Sequence, residues 1–227
     1  MKRQLKKVVC LALITSMILG QKTLKTTKNV TAKEKKDIKI AIDAGHQARG
    51  NFATEPVGPG SSTRKAKVAG GATGVASHVP EYKLTLAVSK KLQKELKARG
   101  YKVYMIRTKN NVNISNKKRA QLANKSGADI YIRIHADSSN SRAVTGASGL
   151  YPSKANRYVS KLSAKSKKLS SCLLKSYCKK TKIRNRGLVA RDDLTGTNWS
   201  KISSVQHRNR RQAQRCSTGF HQLHHEL

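Results

Sequence analysis

The chain has 227 residues and carries 48 Lys and Arg against 11 Asp and Glu, a formal charge of +37, with only 4% aromatic residues. That length is enough for one domain with a real core. A charge of this size implies a polyanionic partner and says little about the fold, while the scarcity of aromatics argues against an RNA-reading sheet and against nucleic acid as the partner.

Lys2, Arg3, Lys6 and Lys7 precede an apolar run of twelve, Val8 to Leu19. This run falls short of the roughly twenty residues of a membrane span. Residues 1–20 therefore read as a secretory signal peptide. No small-residue cleavage motif stands near Gly20, so an uncleaved N-terminal anchor, with membrane contact only in that case, is the alternative. Residues 21–37 are rich in Lys and Thr and read as a basic linker.

Ile38 to Ile42 reads as the first strand, ending in Asp43-Ala44-Gly45-His46. Gln47 to Pro80 is rich in Gly, Ser, Thr and Ala and reads as a long loop, a flap over a site. Tyr82 to Arg99 is the strongest helix, with Leu84, Val88, Leu92 and Leu96 on one face and Gly100 as its stop. Val103 to Arg107 is a strand. Ser115 caps a helix running to Ser126, with Gly127 after it. Ile130 to Ile134 is a continuous apolar run, as in a buried parallel strand. This order predicts an α/β domain, a mostly parallel sheet flanked by helices, over residues 38–202. Pro152 to Thr181 contains a second long helix, Gly187 to Arg191 a short strand and Asp192 to Trp199 a loop. Cys172 and Cys178 are six apart on the helix, point to different faces and are expected to stay unpaired.

Two histidines share one context. His46 and His135 each close a β-like run, and Glu81 opens the strongest helix. Ligands of α/β proteins gather at the carboxyl ends of parallel strands and at helix N-termini. A His₂Glu set placed there binds Zn²⁺ and leaves a fourth position for water. Singly, a first-turn Glu also suits the helix dipole, and a strand-end His is often an ordinary hydrogen-bonding loop residue. The shared context favours the metal.

These residues resemble a family. Ile40 to His46, Val79 to Leu86, Arg119 to Asn124 and Ile132 to Asp137 are similar, in order and spacing, to the motifs of bacterial zinc-dependent N-acetylmuramoyl-L-alanine amidases. The resemblance spans about Ile38 to Ile202. It implies cleavage of the amide between N-acetylmuramic acid and L-alanine of the stem peptide, with His46, Glu81 and His135 as Zn²⁺ ligands. With the leader and the charge, it points to a secreted or wall-associated protein, expected to be a monomer, working on peptidoglycan beside anionic wall polymers. Asp137 stands where many members have Asn.

The resemblance also implies a last strand ending in Glu-x-Gly, whose Glu is the general base. After Ile202 the chain reads Ser203-Ser204-Val205-Gln206-His207-Arg208-Asn209-Arg210-Arg211, and the only later acid is Glu226. The expectation is that the last strand is lost and the catalytic base is unknown, with residues 203–227 an aberrant basic tail. That tail is either natural or out of frame. His-Arg-Asn-Arg-Arg can be encoded CAY-CGN-AAY-CGN-CGN; read one base later this is AYC-GNA-AYC-GNC, which permits Ile-Glu-Ile-Gly. A non-catalytic, charge-held wall-binding remnant of the same fold is the alternative to an active amidase.

Overall fold

The computed structural model describes residues 34–74, 77–137 and 144–210. The leader, the linker up to residue 33 and the tail beyond residue 210 lie outside them, as do Cys10 and Cys216. The elements run β1 (Lys39–Ala44), β2 (Asn51–Pro56), β3 (Arg64–Val68), α1 (Glu81–Ala98), β4 (Lys102–Met105), α2 (Asn116–Lys125), β5 (Ile130–Ala136), β6 (Gly146–Pro152), α3 (Ser163–Thr181), β7 (Asn185–Arg191), α4 (Thr195–Asn198) and β8 (Ser203–Arg210). Six strands form one sheet in the order β4-β1-β5-β8-β6-β7. Every pairing is parallel except β6 with β8. The expected mostly parallel sheet flanked by helices is the observed fold.

Alternation along the strands sorts the two layers. Ile40, Ile42, Ile132, Ile134 and Val205 face one side, where Leu86, Val88, Leu92 and Leu96 of α1 and Leu169 and Leu173 of α3 cover them. Ala41 and Tyr131 face the other, against Ala120 and Ala123 of α2 and Trp199. The helix faces are more polar than leucine spacing suggests. The deepest α1 positions are Glu81, Thr85, Leu86 and Ser89, and α3 buries Ser163, Ser166, Ser170, Leu174 and Cys178. Ser115 caps α2 as expected, accepting from the Lys118 amide at 3.1 Å. Cys172 and Cys178 are not joined in a disulfide.

The last strand is not lost. Residues 203–210 form β8, inserted between β5 and β6 with Ile132 opposite Val205, Ile134 opposite His207 and Ala136 opposite Asn209. A sequence reading asks for an apolar run and finds one residue, Val205, which is 1% exposed. Two flanking strands offer backbone partners on both edges, and that ladder seats a polar segment. Two further strand pieces were illegible. The loop after His46 contains the β2–β3 hairpin, which buries only Glu55 and Val68 of its strand residues and carries no apolar alternation. β6 is written Gly-Ala-Ser-Gly-Leu-Tyr-Pro, poor in the β-branched residues that mark strands.

The polar segment conflicts with its layer. His207 and Asn209 sit on the apolar side of β8, where His207 Nε2 and Asn209 Oδ1 are buried without hydrogen-bond partners. Burial pushes the His207 pKa down to about 4 from 6.5. A depressed His pKa gives stability that is full above 6.5 and is lost as pH falls through the folded value. Thermal stability is therefore expected to fall between pH 6.5 and pH 4, by up to about 3 kcal/mol at about 1.4 kcal/mol per pKa unit. His207→Ile should flatten that limb in melts at pH 7 and pH 4.5; an unchanged slope would assign the acid sensitivity elsewhere.

Candidate metal centre

The loop following β1 brings the first histidine into place. His46 takes a left-handed φ of 61°, unusual for a residue with a Cβ, and its neighbours hold it there. Buried Arg119 donates to the His46 carbonyl at 3.0 Å and to that of Ala44 at 3.0 Å. Arg107 donates to the carbonyls of Ala44 (2.8 Å), Gly45 (3.1 Å) and Tyr82 (2.7 Å), tying this loop to the start of α1. Burial lowers the Arg107 pKa to about 10. Thr85 Oγ1 adds a bond to the Gly45 carbonyl at 2.7 Å. Gly45 has no room for a side chain, because a Cβ there would lie 2.5 Å from the His135 ring.

All three sequence-predicted ligands converge. His46 Nε2 and Glu81 Oε1 are 3.3 Å apart, His135 Nδ1 and Glu81 Oε1 3.3 Å, and His135 Nδ1 and His46 Nε2 3.1 Å. The three donor atoms thus form a nearly equilateral triangle. A tetrahedral Zn²⁺ shell with bonds of about 2.0–2.1 Å has edges of about 3.3 Å, so the donor set fits that ion. The supporting bonds orient it. His46 Nδ1 lies 2.9 Å from the Ala69 carbonyl, which can only accept, so in the neutral ring Nδ1 carries the N–H and Nε2 the lone pair. Glu81 Oε1 accepts from the Ala136 amide at 2.9 Å and Oε2 from the Ala72 amide at 3.0 Å.

The three groups are electrostatically coupled. Burial opposes ionisation of Glu81, but the charge of His46 and hydrogen bonds from both histidines outweigh it and hold the carboxyl well below its usual range. Burial pushes the His135 pKa down to about 4, which keeps that ring neutral. For His46 burial also works downward, and Glu81 overcomes it, raising the pKa.

Against this geometry, the family profile described as N-acetylmuramoyl-L-alanine amidase (Amidase_3) matches residues 40–208. The chain belongs to the N-acetylmuramoyl-L-alanine amidase family. The solved Ami1 amidase of Mycobacterium smegmatis is similar at a TM-score of 0.66 and 21% identity, over 76% of this chain and 81% of that one. The amidase of Clostridium difficile 630 is similar at 0.55 and 26% identity, over 75% and 77%. The catalytic domain of CwlV from Bacillus (Paenibacillus) polymyxa is similar at 0.54 and 21%, over 75% and 79%. A search of curated protein sequences returns no significant match.

In this amidase a cleft of about 370 Å³ opens beside the ligands, lined in part by His46, His135, Lys65, Arg133, Gln206 and Arg208. The β2–β3 hairpin walls it. Lys65 bonds Asp193 at 2.6 Å and Trp199 Nε1 donates to the Pro56 carbonyl at 3.1 Å, so the flap expected between His46 and Glu81 is a tethered wall. Below the cleft lies a cluster that sequence reasoning left without a role. Asp43, fully buried, accepts from Arg119 (2.6 Å), Arg133 (2.9 Å) and Tyr131 (3.1 Å). The available signal was a charged residue inside each of two apolar strand runs, Asp43 in β1 and Arg133 in β5.

The second overlooked residue is Arg208. It stands directly opposite His135 on the neighbouring strand, shares the cleft with it, and contacts Asp137 at 3.6 Å. Neighbouring strands lie about 4.8 Å apart, so residues paired on one face are close neighbours. The site face of β8 therefore presents to the cleft a guanidinium, which accepts no proton at any working pH.

Proposed function

We propose that His46, Glu81 and His135 hold a single Zn²⁺, and that this secreted peptidoglycan hydrolase uses it to attack the amide between N-acetylmuramic acid and L-alanine. The observation that carries the reading is the triangle of donor atoms at 3.1–3.3 Å. A bound Zn²⁺ supplies an activated water and polarises the lactyl carbonyl. The chain's own residues position that chemistry. Arg107 and Arg119 fix the loop carrying His46, the Ala136 and Ala72 amides fix the carboxylate of Glu81, and the hairpin wall narrows the approach to the cleft.

The reaction also needs a base to take the water proton and return it to the leaving amine. The position facing His135 on β8 would serve that role, and this chain has Arg208 there. We infer that hydrolysis by the 227-residue chain is impaired. The same observation supports a second reading, a metal-holding, wall-bound protein of amidase fold that does not turn over. Release of L-alanyl peptide from muropeptide separates the two.

Metal content tests the site itself. The purified chain should retain one Zn²⁺, and the double variant His46→Ala/His135→Ala should lose it while keeping its circular dichroism spectrum. Unchanged zinc in the double variant would refute the ligand assignment.

A further inference from the structure

The acidic residues are distributed unevenly. Between Asp137 and Asp192 there is no Asp or Glu, while the same stretch carries fourteen Lys and Arg. α3 and β7 fall inside it. The inner side of α3, with Ser166, Ser170, Leu174 and Cys178, is buried on the sheet, which leaves its lysines outward. Lys165, Lys168, Lys175 and Lys179 are all exposed. At about 100° and 1.5 Å per residue they occupy an arc of roughly 80° and a length of about 21 Å. Lys161 and Lys182 extend the row at its two ends, and exposed Arg184 and Arg186 continue it onto β7, the edge strand of the sheet. Among the described residues, none of the four helix lysines lies within ion-pair distance of a carboxylate. On α1, by contrast, Glu95 lies among the lysines and is paired with Arg99.

We propose that the lysine row of α3, continued by Arg184 and Arg186, is a docking surface for a linear polyol-phosphate polymer of the bacterial wall. The inference rests on the wall reading above and deepens it by locating the surface and naming the ligand chemistry. Three features select that ligand. Compact ammonium groups in a row suit phosphodiesters repeated along a flexible chain, which need point charges and no fixed bidentate geometry. The exposed large apolar side chains among the described residues are Phe52, Tyr104 and Val189, and none lies on α3. Single-stranded nucleic acid normally adds base stacking on aromatic platforms. The surface also lies apart from the cleft, because α3 covers the sheet on the side of α1 whereas Arg133 and Arg208 point to the side of α2. A bound polymer therefore retains the protein without filling the site.

The test uses the full chain and immobilised poly(glycerol phosphate), with affinity measured across a salt series. One variant replaces Lys165, Lys168, Lys175 and Lys179 by Gln. A second replaces Lys90, Lys91, Lys94 and Lys97 of α1 by Gln, removing the same charge, and Gln keeps the helix propensity of Lys. The α3 variant should lose at least about tenfold in affinity near 0.1 M salt, and its slope of log K against log salt should fall by about 3, at roughly 0.7–0.9 per phosphate contact. The α1 variant should stay within about threefold of the parent. Equal losses in the two variants overturn the localised surface while leaving charge retention at the wall intact. Binding of the parent that ignores salt, or no binding, overturns the charge reading itself. Tighter binding to DNA than to the polymer at matched phosphate overturns the assigned partner.

Discussion

Replacing His207, Arg208 and Asn209 together by Ile, Glu and Ile is expected to raise cleavage of muramoyl-L-alanine by about 10²–10⁴-fold, the usual worth of a positioned general base. The three positions make separate demands. Position 208 faces His135 from the adjacent strand and lines the cleft, so a carboxylate there reaches the water side of the proposed metal. Positions 207 and 209 face the apolar layer beside Ile134 and Ala136, where the present side chains bury unpartnered His207 Nε2 and Asn209 Oδ1. Leaving a buried polar atom unpaired costs about 1–3 kcal/mol, and apolar replacements also gain burial. Asn209 does donate to the Tyr177 hydroxyl at 2.9 Å, which Ile forfeits. The triple variant should therefore be more stable by about 2–4 kcal/mol. The effects should separate: Arg208→Glu alone raises activity without the stability gain, and His207→Ile/Asn209→Ile raises stability without activity. A parent chain that already cleaves at an ordinary enzymatic rate would sink the argument.

These demands bear on the reading frame. An apolar, acidic, apolar triplet is what the layer and the site require at 207–209, and Ile-Glu-Ile is what the permitted one-base shift of His-Arg-Asn-Arg supplies. The apolar demand at 207 and 209 comes from burial and is separate from the codon table, whereas the acid at 208 is what the resemblance implies. Sequencing the codons for Ile202 to Arg210 tests this: CAT-CGA-AAT at 207–209 reads ATC-GAA-ATC one base later and sustains the frame shift, whereas codons that do not yield Ile-Glu-Ile in that frame count against it.

What the sequence disclosed follows from where its signals are local. β1 and β5 are apolar runs buried on both faces, so their type and the histidines that close them could be read directly, while their pairing was supplied by the structure. α1 was legible from leucine spacing, although its deepest positions are the polar Glu81, Thr85 and Ser89 that serve the site. β8 was illegible because pairing on both edges, and not composition, makes it a strand. The β2–β3 hairpin was illegible because it buries little of itself and is held by single bonds to distant residues, such as Lys65 to Asp193 and Asn116 to the Lys67 carbonyl. The ligands were found through their chain context. Arg107, Arg119 and Arg133 were overlooked because a cation reads as surface until its partner is known, and their partners are backbone carbonyls and a carboxylate far away in sequence.

Asp43→Asn should be the most damaging single substitution beneath the site. The carboxylate is fully buried and answers two guanidinium groups, Arg119 from α2 and Arg133 from β5. An Asn keeps the shape and leaves two buried cations uncompensated, which costs about 3–5 kcal/mol, or roughly 10 °C or more in Tm for a domain of this size. Arg119 also holds the His46 carbonyl, so zinc affinity should fall with stability. The acid limb gives a second readout. Burial works to raise the Asp43 pKa, but Arg119 and Arg133 outweigh it and lower it to about 2 from 3.8. A depressed carboxylate pKa contributes stability that is present above 3.8 and is lost as pH falls toward 2. The parent should therefore lose stability across that window, and Asp43→Asn, already weakened, should lose less there. Replacing all three groups by apolar residues, Asp43→Leu/Arg119→Met/Arg133→Met, separates charge from packing, since removing a whole buried ion cluster is often neutral where breaking it is not. If Asp43→Asn costs under about 1 kcal/mol, the cluster does not hold the strands and helix together, and the support assigned to His46 must come from Arg107 and Thr85 alone.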